Sequence, residues 1–146
     1  MNSLLRILAT GLALIAFTGM ASAAGDIAKG KKVFKRCAAC HKVGEGAKHA
    51  SGPLLNDLIG RTAGTAEGYT RFSKAMKDAG AGGKVWNDAT LTEFLAKPRK
   101  VIKGNKMSFS GLRKPKQIED VVAYLKSFSK ATEAAAPAEA AAPAAP

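Results

Sequence analysis

The sequence predicts an all-α domain of short helices joined by long loops. Three observations carry this expectation. No run alternates apolar with polar residues for long enough to form a half-buried strand. Ile118, Val121, Val122, Leu125 and Phe128 trace one face of a helix. The chain also carries 15 glycines, many of them placed where they cut apolar segments short.

The elements follow in chain order. Residues 1–23 have the pattern of a secretory signal peptide: Arg6, an apolar run from Ile7 to about Phe17, and the small-x-small triplet Ala21-Ser22-Ala23. The alternative is an uncleaved anchor, but the run is short for a bilayer span and is broken by Gly11 and Gly19. Residues 24–130 leave room for one small domain. Asp26 is a plausible N-cap, and Ile27, Gly30, Val33 and Phe34 follow at helical spacing towards the two cysteines. Gly30 weakens a helix, so a close packing contact is expected there. Gly44 to Gly52 is loop, and Leu54 to Arg61 has no long period. Gly60, Gly64 and Gly68 punctuate the middle of the domain. A short helix over Phe72 to Asp78 is stopped by Gly80, Gly82 and Gly83. Thr90 with Glu93 reads as a capping box for a helix that ends before Pro98. Pro115 suits the first turn of the last helix. Residues 131–146 are alanine-rich, with Pro137, Pro143 and Pro146, and read as a disordered tail.

Cys37-Ala38-Ala39-Cys40-His41 carries the chemistry. C-x-x-C-H is the attachment pattern of c-type haem. On a helical turn, positions i, i+3 and i+4 share a face. Two thiols there can form thioethers with the two haem vinyl groups, and the adjacent imidazole can ligate the iron. A redox disulfide would require a thioredoxin-like βαβ setting, which the sequence lacks. A zinc site would require a second Cys/His pair. A buried haem would supply apolar mass that a domain of this size lacks, so the apoprotein is expected to be largely unfolded.

The chain has 23 Lys and Arg against 11 Asp and Glu, a net charge of +12. Loss of residues 1–23 removes Arg6 alone, so the excess stays strongly positive. Such a charge speaks of nucleic acid, an anionic membrane or an acidic protein. No nucleic-acid motif is present, aromatics are 6%, and an acidic protein partner is the better reading.

An iron held by His41 needs a sixth ligand or an open position. Met1 and Met20 fall in the leader, and Met76 falls in a helical segment where methionine more often packs. Met107, in the loop Gly104-Asn105-Lys106-Met107-Ser108-Phe109, is the candidate.

These segments together resemble a class I cytochrome c, of the bacterial cytochrome c2 group close to mitochondrial cytochrome c. The resemblance covers about residues 25–130. It rests on the stretch Gly25 to Phe34, the C-x-x-C-H, Gly52-Pro53-Leu54-Leu55, Gly60-Arg61, Trp86, Lys106-Met107-Ser108-Phe109 and Val121-Val122-Ala123-Tyr124-Leu125. It implies short helices and loops wrapped around one haem, covalently bound through Cys37 and Cys40. It implies His41 and Met107 as axial ligands, and Pro53 as acceptor for the His41 Nδ1–H. Arg61 and Trp86 would lie near a haem propionate, Phe109 would cover the exposed haem edge, and Gly30 would pack on Tyr124. His49 would make structural hydrogen bonds in a loop. The sequence departs from the family in three places. The segment between Phe34 and Cys37 is one residue shorter than in the mitochondrial form. Phe94 replaces a tyrosine near the methionine sulfur, which leaves the redox potential open. The propionate-binding tyrosine has no clean counterpart: Tyr69 is nearest, with Arg71 and Phe72 beside it.

The resemblance implies a soluble periplasmic one-electron carrier, not an enzyme, monomeric, without nucleic acid or permanent membrane insertion. Arg36, Arg99, Lys100, Lys106, Arg113 and Lys114 would form a ring steering acidic-faced partners: a cytochrome bc complex, a terminal oxidase, a reaction centre or a dehydrogenase. A haem enzyme or gas sensor would need an open sixth position, which Met107 argues against.

Overall fold

The computed structural model describes residues 25–130. The leader expected over 1–23 and the tail expected over 131–146 lie outside them. Five helices follow in order: α1 (Ile27–Phe34), α2 (Lys74–Ala81), α3 (Asp88–Ala96), α4 (Pro98–Val101) and α5 (Pro115–Lys126). Among the described residues the only β pairing is one isolated antiparallel bridge, Thr62 to Val85. The all-α expectation therefore stands.

α1 starts as its sequence dictates. The Asp26 carboxylate accepts a hydrogen bond from the Lys29 N–H at 2.9 Å, satisfying a donor that the first turn leaves free. Its own N–H donates to the Asp120 carboxylate on α5 at 2.8 Å. The two helices touch backbone to backbone at Gly30. A Cβ there would lie 2.0 Å from the Asp120 carbonyl oxygen and 2.7 Å from the Tyr124 Cβ. Phe34 and Tyr124 extend the contact, with ring centroids 5.4 Å apart. Ile27, expected on the buried face, is instead 52% exposed. It stands before the crossing point, and the close approach at Gly30 fixes which face is covered.

α5 opens with Pro115 at its start, and Ile118, Val121, Val122 and Leu125 are buried. Phe128 lies past the helix end but stays on the same seam, its ring 5.0 Å from that of Tyr124. α3 packs against α5, and Lys126 reaches Asp88 at 2.7 Å across the pair.

Three boundaries differ from expectation. α2 is capped by Ser73, whose hydroxyl accepts from the Met76 N–H at 3.1 Å, and runs on to Ala81 through Gly80. A Cβ at Gly80 would meet the Ala63 carbonyl oxygen at 1.9 Å, so this glycine is a packing contact and not a stop. The capping box of α3 is Asn87 with Thr90, not Thr90 with Glu93. The Thr90 N–H donates to the Asn87 side chain, and the Asn87 N–H donates to the Thr90 hydroxyl, both at 2.9 Å. Pro98 does stop α3, but it also begins α4, because proline suits a first turn where its missing N–H is not needed.

Candidate functional site

The two cysteines sit in the helical turns just after α1. The Cys40 N–H donates to the Cys37 carbonyl at 3.0 Å and the His41 N–H to the same oxygen at 2.8 Å. The i, i+4 relation that the motif needs is therefore present, although α1 itself ends at Phe34. Both cysteines are free thiols, and burial pushes the Cys37 thiol pKa up. No group of three or more potential metal ligands among His, Cys, Asp and Glu forms among the described residues.

The loop after the motif folds back over the imidazole. The Gly52 N–H donates to the Cys40 carbonyl at 2.8 Å. A Cβ on Gly52 would lie 2.5 Å from His41 Cε1, so only glycine lets the backbone lie on the ring. The next residue completes the arrangement: His41 Nδ1 is 2.7 Å from the Pro53 carbonyl oxygen. A carbonyl only accepts, so Nδ1 carries a proton, and in the neutral imidazole Nε2 then keeps the lone pair. Burial pushes the His41 pKa down, the Arg61 cation adds to this, and the Pro53 hydrogen bond opposes both. Burial thus favours the neutral imidazole, the form in which Nε2 carries no proton.

His49 holds this loop from the other side. Its Nδ1 accepts from the Leu54 N–H at 2.8 Å, and its Nε2–H donates to the Glu67 carbonyl at 2.7 Å. Both ring nitrogens are engaged with backbone, as the structural role requires.

Met107 is placed by Asn105. The Asn105 side chain donates to the Pro98 and Ile102 carbonyls at 3.0 and 2.7 Å, and its oxygen accepts from the Met107 N–H at 2.9 Å. The same loop is fastened to α3 through the Leu112 N–H on the Leu95 carbonyl at 2.8 Å.

Trp86 and Arg61 come together through the backbone beside the isolated bridge. The Trp86 N–H donates to the Arg61 carbonyl at 2.9 Å, and the Gly60 N–H to the Trp86 carbonyl at 2.8 Å. The Arg61 guanidinium donates to the Asn56 and Leu54 carbonyls, each at 3.1 Å. Burial pushes its pKa down, and Asp57 partly opposes the shift. Trp86 is buried with its ring 5.0 Å from that of Phe94.

The cysteine, histidine, arginine, tryptophan and methionine side chains expected at the site converge on one cavity of about 550 Å³, while His49 and Asn105 brace the loops around it. It falls within the range of about 300–1,000 Å³ usual for cofactor sites. Cys37, Cys40, His41, Pro53, Arg61, Trp86, Met107 and Phe109 all line it. So do Met76, which the sequence suggested as helix packing, and Arg71, Phe72 and Gly52, which it named without a role of their own at the site. Gly52, placed directly before Pro53, was the one signal that could have been read. The others reach the cavity only because the loops close. Of the expected docking ring, Arg36 and Lys106 line the cavity, and all six of its residues are exposed.

The residues fit the group. Two thiols and a histidine at helical spacing, an Nε2 lone pair, a thioether and an apolar lining are the donor set and surroundings of a covalently attached haem. The fold and site thus define a protein that carries haem c, covalently bound through a C-x-x-C-H motif. The chain belongs to the cytochrome c family, whose model matches residues 27–129, as a class I c-type cytochrome of the c2 group. It is 52% identical to cytochrome c2 of Agrobacterium tumefaciens (strain II Chrys) over 101 residues, covering 69% of this chain and 90% of that one. It is 48% identical to cytochrome c of Chlamydomonas reinhardtii over 104 residues, covering 70% and 89%. Among solved structures it superposes on cytochrome c2 from Rhodospirillum centenum with a TM-score of 0.67 at 40% identity, over 73% of this chain and all of that one. The chain is a small haem c electron carrier. No helix among the described residues is long and apolar enough to cross a membrane.

Proposed function

We propose that the chain is a periplasmic one-electron carrier, exported by residues 1–23, with His41 and Met107 as the two axial ligands of its haem. The observation that carries this reading is the His41 tautomer: the 2.7 Å contact to Pro53 commits Nδ1 as donor and leaves Nε2 for iron. The haem supplies a reversible one-electron iron couple when bound. The protein's part is positional. Pro53 fixes the imidazole plane and raises its basicity. Asn105 fixes the Met107 backbone. Held this way, His41 and Met107 would hold the iron of a bound haem with little change between oxidation states, and such a histidine and methionine pair would favour a comparatively high potential. The apolar lining would keep water from a bound haem, and Phe109, which lines the same cavity, would cover its edge.

No proton transfer or substrate site is required, so the protein is a carrier and not an enzyme. Its partners are acidic-faced redox proteins: a cytochrome bc complex, a terminal oxidase, a reaction centre or a dehydrogenase. Arg36 and Lys106 at the cavity rim, with Arg99, Lys100, Arg113 and Lys114, steer them. Electron exchange with such a partner should slow steeply with added salt, as screening over a Debye length of about 8 Å at physiological ionic strength requires.

The test is the visible and near-infrared spectrum of the oxidised and reduced protein. Low-spin haem c bands are expected, with a weak methionine-to-ferric-iron charge-transfer band. That band should vanish in Met107→Ala and persist in Met76→Leu. Because Met76 lines the same cavity, loss of the band in Met76→Leu alone would move the ligand to α2. A high-spin spectrum that shifts readily with carbon monoxide would overturn the carrier reading.

A further inference from the structure

The charges that line the cavity are one-sided. Arg36, Arg61, Arg71 and Lys106 line it, beside His41, Tyr69 and the two cysteines, and no aspartate or glutamate does. Neither Arg61 nor Arg71 forms a salt bridge with a described residue. A cationic rim on an apolar cavity calls for an anion from the occupant, and a haem brings two propionates.

Arg61 is half-buried and already turns two nitrogens to backbone carbonyls. Arg71 is a second guanidinium, on the extended segment just before Ser73 and α2. It is held in place from three sides. Its carbon lies over the Tyr69 ring, 5.4 Å from the centroid. One terminal nitrogen donates to the Ala50 carbonyl. Its own carbonyl accepts from Lys106 Nζ at 3.4 Å, which ties it to the loop that carries Met107. Tyr69, the nearest counterpart of the family's propionate-binding tyrosine, donates its hydroxyl proton to the Ser51 carbonyl at 2.6 Å. Its side chain therefore acts as a platform under Arg71, and the rest of the planar fork remains for a carboxylate, which guanidinium binds in bidentate fashion.

We propose that Arg71 is a binding residue for a haem carboxylate, acting beside Arg61. The proposal rests on the haem reading above. An adjacent guanidinium makes a carboxylic acid about tenfold to a thousandfold stronger. Arg71 thus keeps the propionate ionised in both oxidation states, and the reduction potential stays level with pH.

The experiment is a potentiometric titration of the holoprotein across the acid-to-neutral range, on the parent, Arg71→Gln and Arg71→Lys. In Arg71→Gln the potential should drop, because lost positive charge favours ferric iron. It should also acquire a fall with rising pH, as the weakened acid exchanges a proton with the redox state. Arg71→Lys should restore most of the level profile while losing the stack on Tyr69. Arg71→Gln with an unchanged potential and pH profile, in a protein whose spectrum shows attached, methionine-ligated haem, overturns the proposal. So does a lowered melting temperature with a level profile, which is the signature of a bracing role alone. Failure of the haem reading would show separately, as a chain with no thioether-linked haem.

Discussion

The α1–α5 pair and the loops around the cavity are held together by different means. The pair is a direct contact: Gly30 against the Asp120 carbonyl, Phe34 on Tyr124, and the Asp26 N–H on a buried carboxylate. It needs nothing between its surfaces. The loops over 44–72 and 102–114 enclose a space and do not fill it. They are held at their edges by side chains that reach distant backbone: His49 to Leu54 and Glu67, Tyr69 to Ser51, Asn56 to Gly44, Asn105 to Pro98. Those bonds shape the cavity wall, but their net worth is only about 1 kcal/mol each. One region is complete as protein. The other is complete only around an occupant.

The largest effect should come from breaking that dependence. At roughly 24 cal/mol per Å³, a void of about 550 Å³ would cost about 13 kcal/mol, as much as the whole stability of a small domain. The chain carrying Cys37→Ala and Cys40→Ala, purified free of haem, should therefore show no cooperative thermal transition by circular dichroism. A native-like, cooperatively melting apoprotein would mean that the loops pack by themselves, and the contrast between the regions would fail.

The next effect separates the regions within the holoprotein. Gly30→Ala places a Cβ 2.0 Å from a backbone oxygen that has no flexible end to move aside. The helices must part, at a cost of about 3 kcal/mol. The unfolding free energy should fall by that amount, lowering the denaturation midpoint, while the charge-transfer band and the reduction potential stay as in the parent. A shifted potential would show that the helix pair and the iron site are coupled.

Legibility in the sequence follows the same divide. α1 and α5 could be read because their signals are local: an aspartate cap, a glycine at helical spacing, a proline in the first turn, five apolar positions on one face. The start of α3 was placed three residues late, with Thr90 taken as the cap in place of Asn87. Thr90 accepts and donates equally well as cap or as third residue, and only the distance to Asn87 decides which. α4 was missed because a proline that ends one helix also starts another. At the site, the Cys37–Cys40 haem attachment was legible from spacing alone, and His41 and Met107, the residues the sequence singles out with it, line the same cavity. Arg71 and Phe72 were named only as neighbours of Tyr69, and Met76 only as helix packing, because their place in the wall depends on closures far apart in sequence, such as that of Arg71 on Ala50.

The smallest effect sharpens the comparison most. Gly52 is the loop region's counterpart of Gly30, with its close contact made to an imidazole instead of a helix backbone. Its conformation is open to alanine, for no positive φ is found there. The cost therefore falls on His41, whose ring must turn away from a Cβ at 2.5 Å. That weakens the Nδ1–H bond to Pro53 and makes the imidazole a poorer donor to ferric iron. If about 1 kcal/mol of that bond is lost differentially between oxidation states, the potential should rise by roughly 40 mV. Gly52→Ala should thus move the potential with little change in the denaturation midpoint, the reverse of Gly30→Ala. A stability loss as large as that of Gly30→Ala, with the potential unmoved, would mean that Gly52 serves packing and not the orientation of the ligand.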